Sequence, residues 1–165
     1  EYPELQLPLF LVFLTIYAIT VVGNLGMIMI IRVSRKLHTP MYFFLTNLSL
    51  VDVSYATSVV PQLLAHFLAE HKAIPFQSCA AQLFFSLALG GIEFVLLAVM
   101  AYDRFVAICS PLLYSTKMST QVSVQLLLVV YIAGFLIAVS YTTSFYFLLF
   151  CGPNRVNHFF CDFAP

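Results

Sequence analysis

The sequence predicts an all-α integral membrane fold with four membrane-crossing helices, and three observations carry that prediction. Hydrophobic residues make up 62% of the 165 residues and charged ones only 8%. An ordinary soluble domain carries about 25% charged residues, and a water-soluble fold of this size could not bury so much apolar surface. Mean hydropathy is +0.99, as expected of a chain dissolved in lipid. The apolar residues also fall into four segments, each long enough to supply the ~20 residues that cross a ~30 Å hydrocarbon layer as a helix.

The first span runs from about Leu7 to Ile31 and is nearly free of polar side chains apart from Thr15, Tyr17, Thr20 and Asn24. It lacks a short basic lead and a small-residue cleavage site, so it reads as an anchor and not as a removed signal peptide. The second, about 40–67, opens at HTPMYFFL, where Thr39 can cap and Pro40 fits the first turn; Pro61 is expected to kink it. The third covers about 76–108 and ends before Pro111, and the fourth covers about 122–150. The connections RVSRKLH, LAEHKAIPFQ and SPLLYSTKMSTQ are short and polar, and 151–165 reads as a loop. The whole chain, 1–165, is thus expected to form a single, partial membrane domain.

Placement of Lys and Arg sets the orientation. Arg32, Arg35, Lys36, Arg104 and Lys117 lie at one end of the bundle, and Lys72 and Arg155 at the other. Five against two puts the first and third connections in the cytoplasm and the amino terminus and the 151–165 loop outside. MAYDRFVAIC, Met100 to Cys109, then sits at the cytoplasmic mouth of the third helix. No run of basic residues is long enough to neutralise a row of phosphates, so nucleic acid is not an expected partner; the lipid bilayer is.

Asp52 and Glu93 fall about 11 and 14 residues into their helices, near mid-membrane at 1.5 Å per residue. A bare carboxylate there costs roughly 3 kcal/mol or more, so neither faces lipid. Two neighbouring carboxylates resist ionising together, which leaves three readings: a shared proton, a clamped cation, or two protonated acids that hydrogen-bond between helices. Asn24, Ser49 and Ser86 could supply neutral oxygens. Ser86, Gly90, Glu93, Leu97 and Arg104 recur at whole turns of helix, and this stripe is expected to face the bundle interior. Gly90 and Gly91 leave room either for a small ligand or for close helix packing.

Cys79, Cys151 and Cys161 are expected outside, in an oxidising compartment, and Cys109 inside as a free thiol. Three outer cysteines cannot all pair with one another, so one needs a partner beyond Pro165. The sequon Asn47-Leu48-Ser49 lies within the second span, where no glycosylating enzyme reaches it. His38, His66, His71 and His158 are scattered, without metal-ligand spacing or a Ser, His and acid cluster. Enzymatic activity is not expected.

LHTPMYFFLTNLSLVD, MAYDRFVAICSPLLYSTKMS and FCGPNRVNHFFCD, together with GNLGMI in the first span, resemble the signature stretches of vertebrate olfactory receptors, within the rhodopsin-like G-protein-coupled receptors. The resemblance covers nearly everything from Leu7 onward. It implies that the four helices belong to a truncated seven-helix receptor bundle of the plasma membrane. The implied ligand is a small volatile hydrophobic odorant, and the implied partner a stimulatory heterotrimeric G protein.

Position by position, Arg104 resembles the switch arginine, held at rest by Asp103 and then freed to meet the G protein. Pro111 and Leu112 resemble the residues that dock into that subunit. Asp52 and Glu93 resemble a sodium site, with Asn24 as its support from the first helix. Ser86, Leu87, Gly90, Gly91 and Phe94 match the odorant-lining face. The resemblance also implies a Cys79–Cys161 disulfide, with Cys151 paired to a cysteine beyond the chain.

Two departures stand out: Phe105 replaces the usual tyrosine after the arginine, and no Trp is present where rhodopsin-like receptors carry one in the fourth helix. The resemblance further implies that helices 5 to 7 are missing, so the chain alone is not expected to signal. If it truly ends at Pro165, the expectation is a non-signalling remnant retained in the endoplasmic reticulum. The competing readings are a rhodopsin-like receptor for a non-odorant ligand and part of an ion-coupled transporter. Paired intramembrane acids suit the transporter, but no inverted repeat relates the two halves.

Overall fold

The computed structural model describes residues 3–68 and 76–149, with side chains over 6–65 and 80–144. Four long helices carry the chain: α1 (Pro3–Val33), α2 (Pro40–Leu68), α3 (Phe76–Cys109) and, after a short helix α4 (Tyr114–Lys117), α5 (Thr120–Leu149). Each contains a segment long and apolar enough to cross a membrane, Gln6–Val33, Pro40–Ala65, Ala80–Cys109 and Thr120–Ser144. Among the described residues there is no strand. The fold is the all-α membrane architecture that hydropathy predicts.

The boundaries follow local chemistry. Pro40 opens α2, where a missing N–H costs nothing, and the Thr39 carbonyl accepts the Phe43 N–H at 3.0 Å. Pro61 lies inside α2, and the helix runs on through it. Pro111 ends α3 and starts a 3-10 turn, Pro111–Leu113, that leads directly into α4. Ser119 caps α5: its hydroxyl accepts the Val122 N–H at 3.4 Å and its carbonyl accepts the Ser123 N–H at 3.0 Å. The SPLLYSTKMSTQ connection, expected only to be short and polar, is therefore largely helical.

Consecutive long helices pack side by side, α1 on α2, α2 on α3 and α3 on α5. The core is a run of side chains through the last three, from Phe44 and Val51 of α2, through Ile92, Leu96 and Val106 of α3, to Val130 of α5, with Met118 from the connection. Lipid tails are as apolar as leucine, so close backbone approach and van der Waals contact hold such helices together. The α3–α5 seam has that character. Ala88 and Ala138 are buried there, and Gly134 touches α3 so closely that an added Cβ would stand 2.9 Å from the Ile92 amide nitrogen and 3.0 Å from the Ala88 carbonyl oxygen. Phe84 and Phe135 meet edge-to-face above the seam, with centroids 5.6 Å apart.

The packed face of α3 is not the one that helical phase singled out. Ala88, Ile92, Leu96, Asp103 and Val106 form the buried stripe. At 100° per residue this stripe is centred roughly 140° around the helix from Ser86, Gly90, Glu93, Leu97 and Arg104. Of the latter set, Ser86, Gly90 and Glu93 are half-buried, while Leu97 and Arg104 are exposed. The physical reason is that α3 meets α5 where Ala88 faces Gly134, small residues that allow close approach. The polar stripe is left on the open flank.

Candidate functional site

At the end of the bundle where α3 stops, Asp103 and Arg104 point apart, as adjacent helical residues must. Asp103 is 1% exposed, and its Oδ1 accepts a hydrogen bond from the Tyr114 hydroxyl at 2.8 Å. Arg104 is exposed, and no ion pair joins it to Asp103 among the described residues. This corrects the expectation of an arginine held at rest by its neighbouring acid: the 3-10 turn brings Tyr114 back over Asp103, and the hydroxyl takes the carboxylate first. Burial, then the bond to Asp103, pushes the Tyr114 phenol up to about 12, against a smaller opposing pull from Arg104.

The same connection is fastened at its far end by Met118, which is 2% exposed and belongs to the core. Its N–H donates to the Tyr114 carbonyl at 2.8 Å. Just ahead of these two anchors, Leu112 projects outward at 94% exposure, with Pro111 and Leu113 also exposed. Phe105 is exposed as well, one residue beyond Arg104. The arrangement presents, at one end of the bundle, a free guanidinium and an apolar knob on a braced turn.

Deeper in the bundle, Asp52 of α2 and Glu93 of α3 are half-buried and within electrostatic reach of each other. No cluster of three or more His, Cys, Asp or Glu side chains occurs among the described residues, so any cation here would need neutral oxygens besides the two carboxylates. Buried Ser49 lies one turn before Asp52 on α2. Carboxylate and hydroxyl oxygens are donors that suit a hard cation. On α1, the Asn24 amide nitrogen donates to the Thr20 carbonyl of its own helix at 3.0 Å, and this bond leaves its side-chain oxygen unused.

The five positions matched to ligand lining separate. Ser86, Leu87 and Gly90 are half-buried, and a Cβ added to Gly90 would meet nothing within 4 Å. Gly91 instead faces α5, where its Cβ would stand 3.4 Å from the Gly134 Cα. Phe94 is 79% exposed. One glycine thus serves helix packing and its neighbour borders open space. A cavity of about 510 Å3 lies elsewhere, at the Arg104 end of the bundle, lined by α1, α2 and α5.

A family model described as olfactory receptor matches residues 13–165. The chain belongs to the olfactory receptor family. It is 64% identical over 163 residues to human olfactory receptor 5P2, covering 99% of this chain and 48% of that one. Mouse olfactory receptor 5P6 is 59% identical over 99% of this chain and 52% of its own length. Human olfactory receptor 2F1 is 59% identical over 96% of this chain and 50% of its own length. The chain spans about half the length of the curated relatives it matches.

As a member of this family with four apolar helices, the olfactory receptor chain is a multi-pass membrane protein and a receptor by kinship. Cys109 is exposed and carries a free thiol. The Cys79 side chain, Cys151 and Cys161 lie outside the described residues, as do Lys72 and Arg155. Sequence reasoning missed Tyr114, Met118 and Gly134. Only Gly134 left a signal, a lone glycine inside an apolar run, which marks close helix approach.

Proposed function

We propose that this chain is the first four helices of an odorant receptor that takes a small hydrophobic ligand from outside and activates a stimulatory G protein inside. The observation that carries this reading is the inner surface of α3: Arg104 is exposed and unpaired, while Leu112, at 94% exposure, projects from a turn braced by Tyr114 and Met118. A free cation and a preformed apolar knob at one end of the bundle make a docking surface that needs little ordering on contact.

On this reading the five basic residues mark the cytoplasmic end, and the protein resides in the plasma membrane with its amino terminus outside. The open flank of α3, with Ser86, Leu87 and Gly90, borders the ligand, and the helices of the receptor's other half close over it. Asp52 and Glu93 hold a sodium ion between α2 and α3, and the ion offsets their mutual repulsion. The ligand shifts the receptor between states by binding one more tightly than the other. The four spans alone do not signal.

The test uses this chain joined to the remaining half of human olfactory receptor 5P2, in cells with a cAMP reporter and an odorant panel. Arg104→Ala at normal surface expression is expected to abolish the response. A response of wild-type size in that variant overturns the assignment.

A further inference from the structure

The cavity at the Arg104 end is lined by neither the acid pair nor the proposed ligand flank. It is bounded by the last turn of α1, the first turns of α2 and the start of α5. Along α2 it runs from Pro40 to Leu50, about 15 Å at 1.5 Å per residue. That is half of a ~30 Å hydrocarbon layer, the depth of one leaflet.

Polar side chains on its wall donate back to their own helices. Thr46 and Ser123 do so to the Tyr42 carbonyl at 2.8 Å and the Ser119 carbonyl at 3.1 Å. The Asn47 amide does the same, to the Phe43 carbonyl at 2.9 Å. The apolar lining comes from Phe43, Leu50 and Val124. At the rim stand Arg32, His38 and Thr39, all exposed, with exposed Arg35 and Lys36 beside them. The sole carboxylate described at this end of the bundle is Asp103, which is buried and engaged by Tyr114.

We infer that this groove seats one phospholipid of the cytoplasmic leaflet with a net anionic headgroup. The acyl chain lies along Phe43, Leu50 and Val124, and the phosphate is held at the rim by Arg32. An apolar trough one leaflet deep, ending in uncompensated cations, matches an anionic lipid. The inference rests on the proposed orientation, which places this rim in the cytoplasm.

The test is photo-crosslinking of the chain in cell-derived membranes with diazirine-tailed phosphatidylserine or phosphatidylcholine, followed by mapping of labelled peptides. Phosphatidylserine is expected to label the Phe43–Leu50 and Val124 peptides several-fold more than phosphatidylcholine. Arg32→Gln should cut that preference about fivefold, the effect of one cation near an anionic headgroup, and Arg32→Lys should retain most of it. Equal labelling by the two lipids, or an unchanged preference in Arg32→Gln, overturns the site. Orientation is read separately on Ser34→Cys in a Cys109→Ser background. Labelling of the residue-34 peptide by a membrane-impermeant maleimide only after permeabilisation supports it, and labelling of that peptide in intact cells overturns the orientation.

Discussion

The Tyr114 hydroxyl donates to the buried Asp103 carboxylate at 2.8 Å, fastening the turn after α3 to the helix it has just left. Tyr114→Phe removes the donor and leaves a buried acceptor unsatisfied, a loss of about 1–3 kcal/mol. The expected result is a lower thermal midpoint for the detergent-solubilised chain. The same variant also tests the turn as a docking element, since Leu112 then loses its brace and receptor response should fall at unchanged surface expression.

The bond also has a pH signature. The folded phenol sits at about 12 against an ordinary 10.0, so the proton binds more tightly in the folded chain. The stabilisation is therefore complete below about pH 10 and is lost as pH climbs through about 12. Ultraviolet titration of wild type minus Tyr114→Phe should show a phenolate step near 12. Asp103→Asn should bring that step down, by removing the charge and weakening the acceptor.

Gly134 and Gly90 make opposite predictions. Gly134→Ala forces a methyl into Ile92 and the Ala88 carbonyl, an overpacking cost of about 1–3 kcal/mol, so the thermal midpoint should drop. Gly90→Ala meets nothing within 4 Å and gains helix propensity of up to about 1 kcal/mol. It should leave stability equal or higher while altering which odorants the completed receptor answers, because the methyl enters the proposed ligand space.

Met118→Ala empties a core position at the end of the turn, a cost of about 2–5 kcal/mol. Local release is the expected first consequence, seen as faster tryptic cleavage after Lys117 in membranes with the cytoplasmic face accessible. Leu112→Ala, at a site 94% exposed, should change stability by no more than about 0.5 kcal/mol. It should nonetheless weaken G-protein coupling of the completed receptor by about tenfold, the scale of an apolar interface hot spot.

For the acid pair, sodium should raise the thermal midpoint of the wild-type chain relative to choline at equal ionic strength. Asp52→Asn and Glu93→Gln should each abolish that difference. The double variant should depart from the sum of the singles by about 0.5–3 kcal/mol, as for residues that share a site.

The spans were legible in the sequence because an uninterrupted apolar run of ~20 residues matches the thickness of a bilayer. Which side of each span packs was not. In water, polar residues mark the outer face; in lipid both faces are apolar, so the periodicity that placed Ser86, Glu93 and Arg104 on one stripe could not say that Ile92 and Leu96 form the buried one. The packed side is marked by smallness, at Ala88, Gly134 and Ala138. Tyr114 was hidden for another reason: its link to Asp103 depends on the 3-10 turn at Pro111, whose direction no spacing rule supplies.

The near-backbone contact of Gly134 with α3 also limits what can move. Rotating α3 would drive Ile92 into α5, and sliding it would pull Asp103 from Tyr114. On the proposed receptor reading, α3 and α5 therefore act as a stator. On that reading the displacement that carries a signal takes place on the opposite flank, where Gly90 borders open space and Arg104 is exposed.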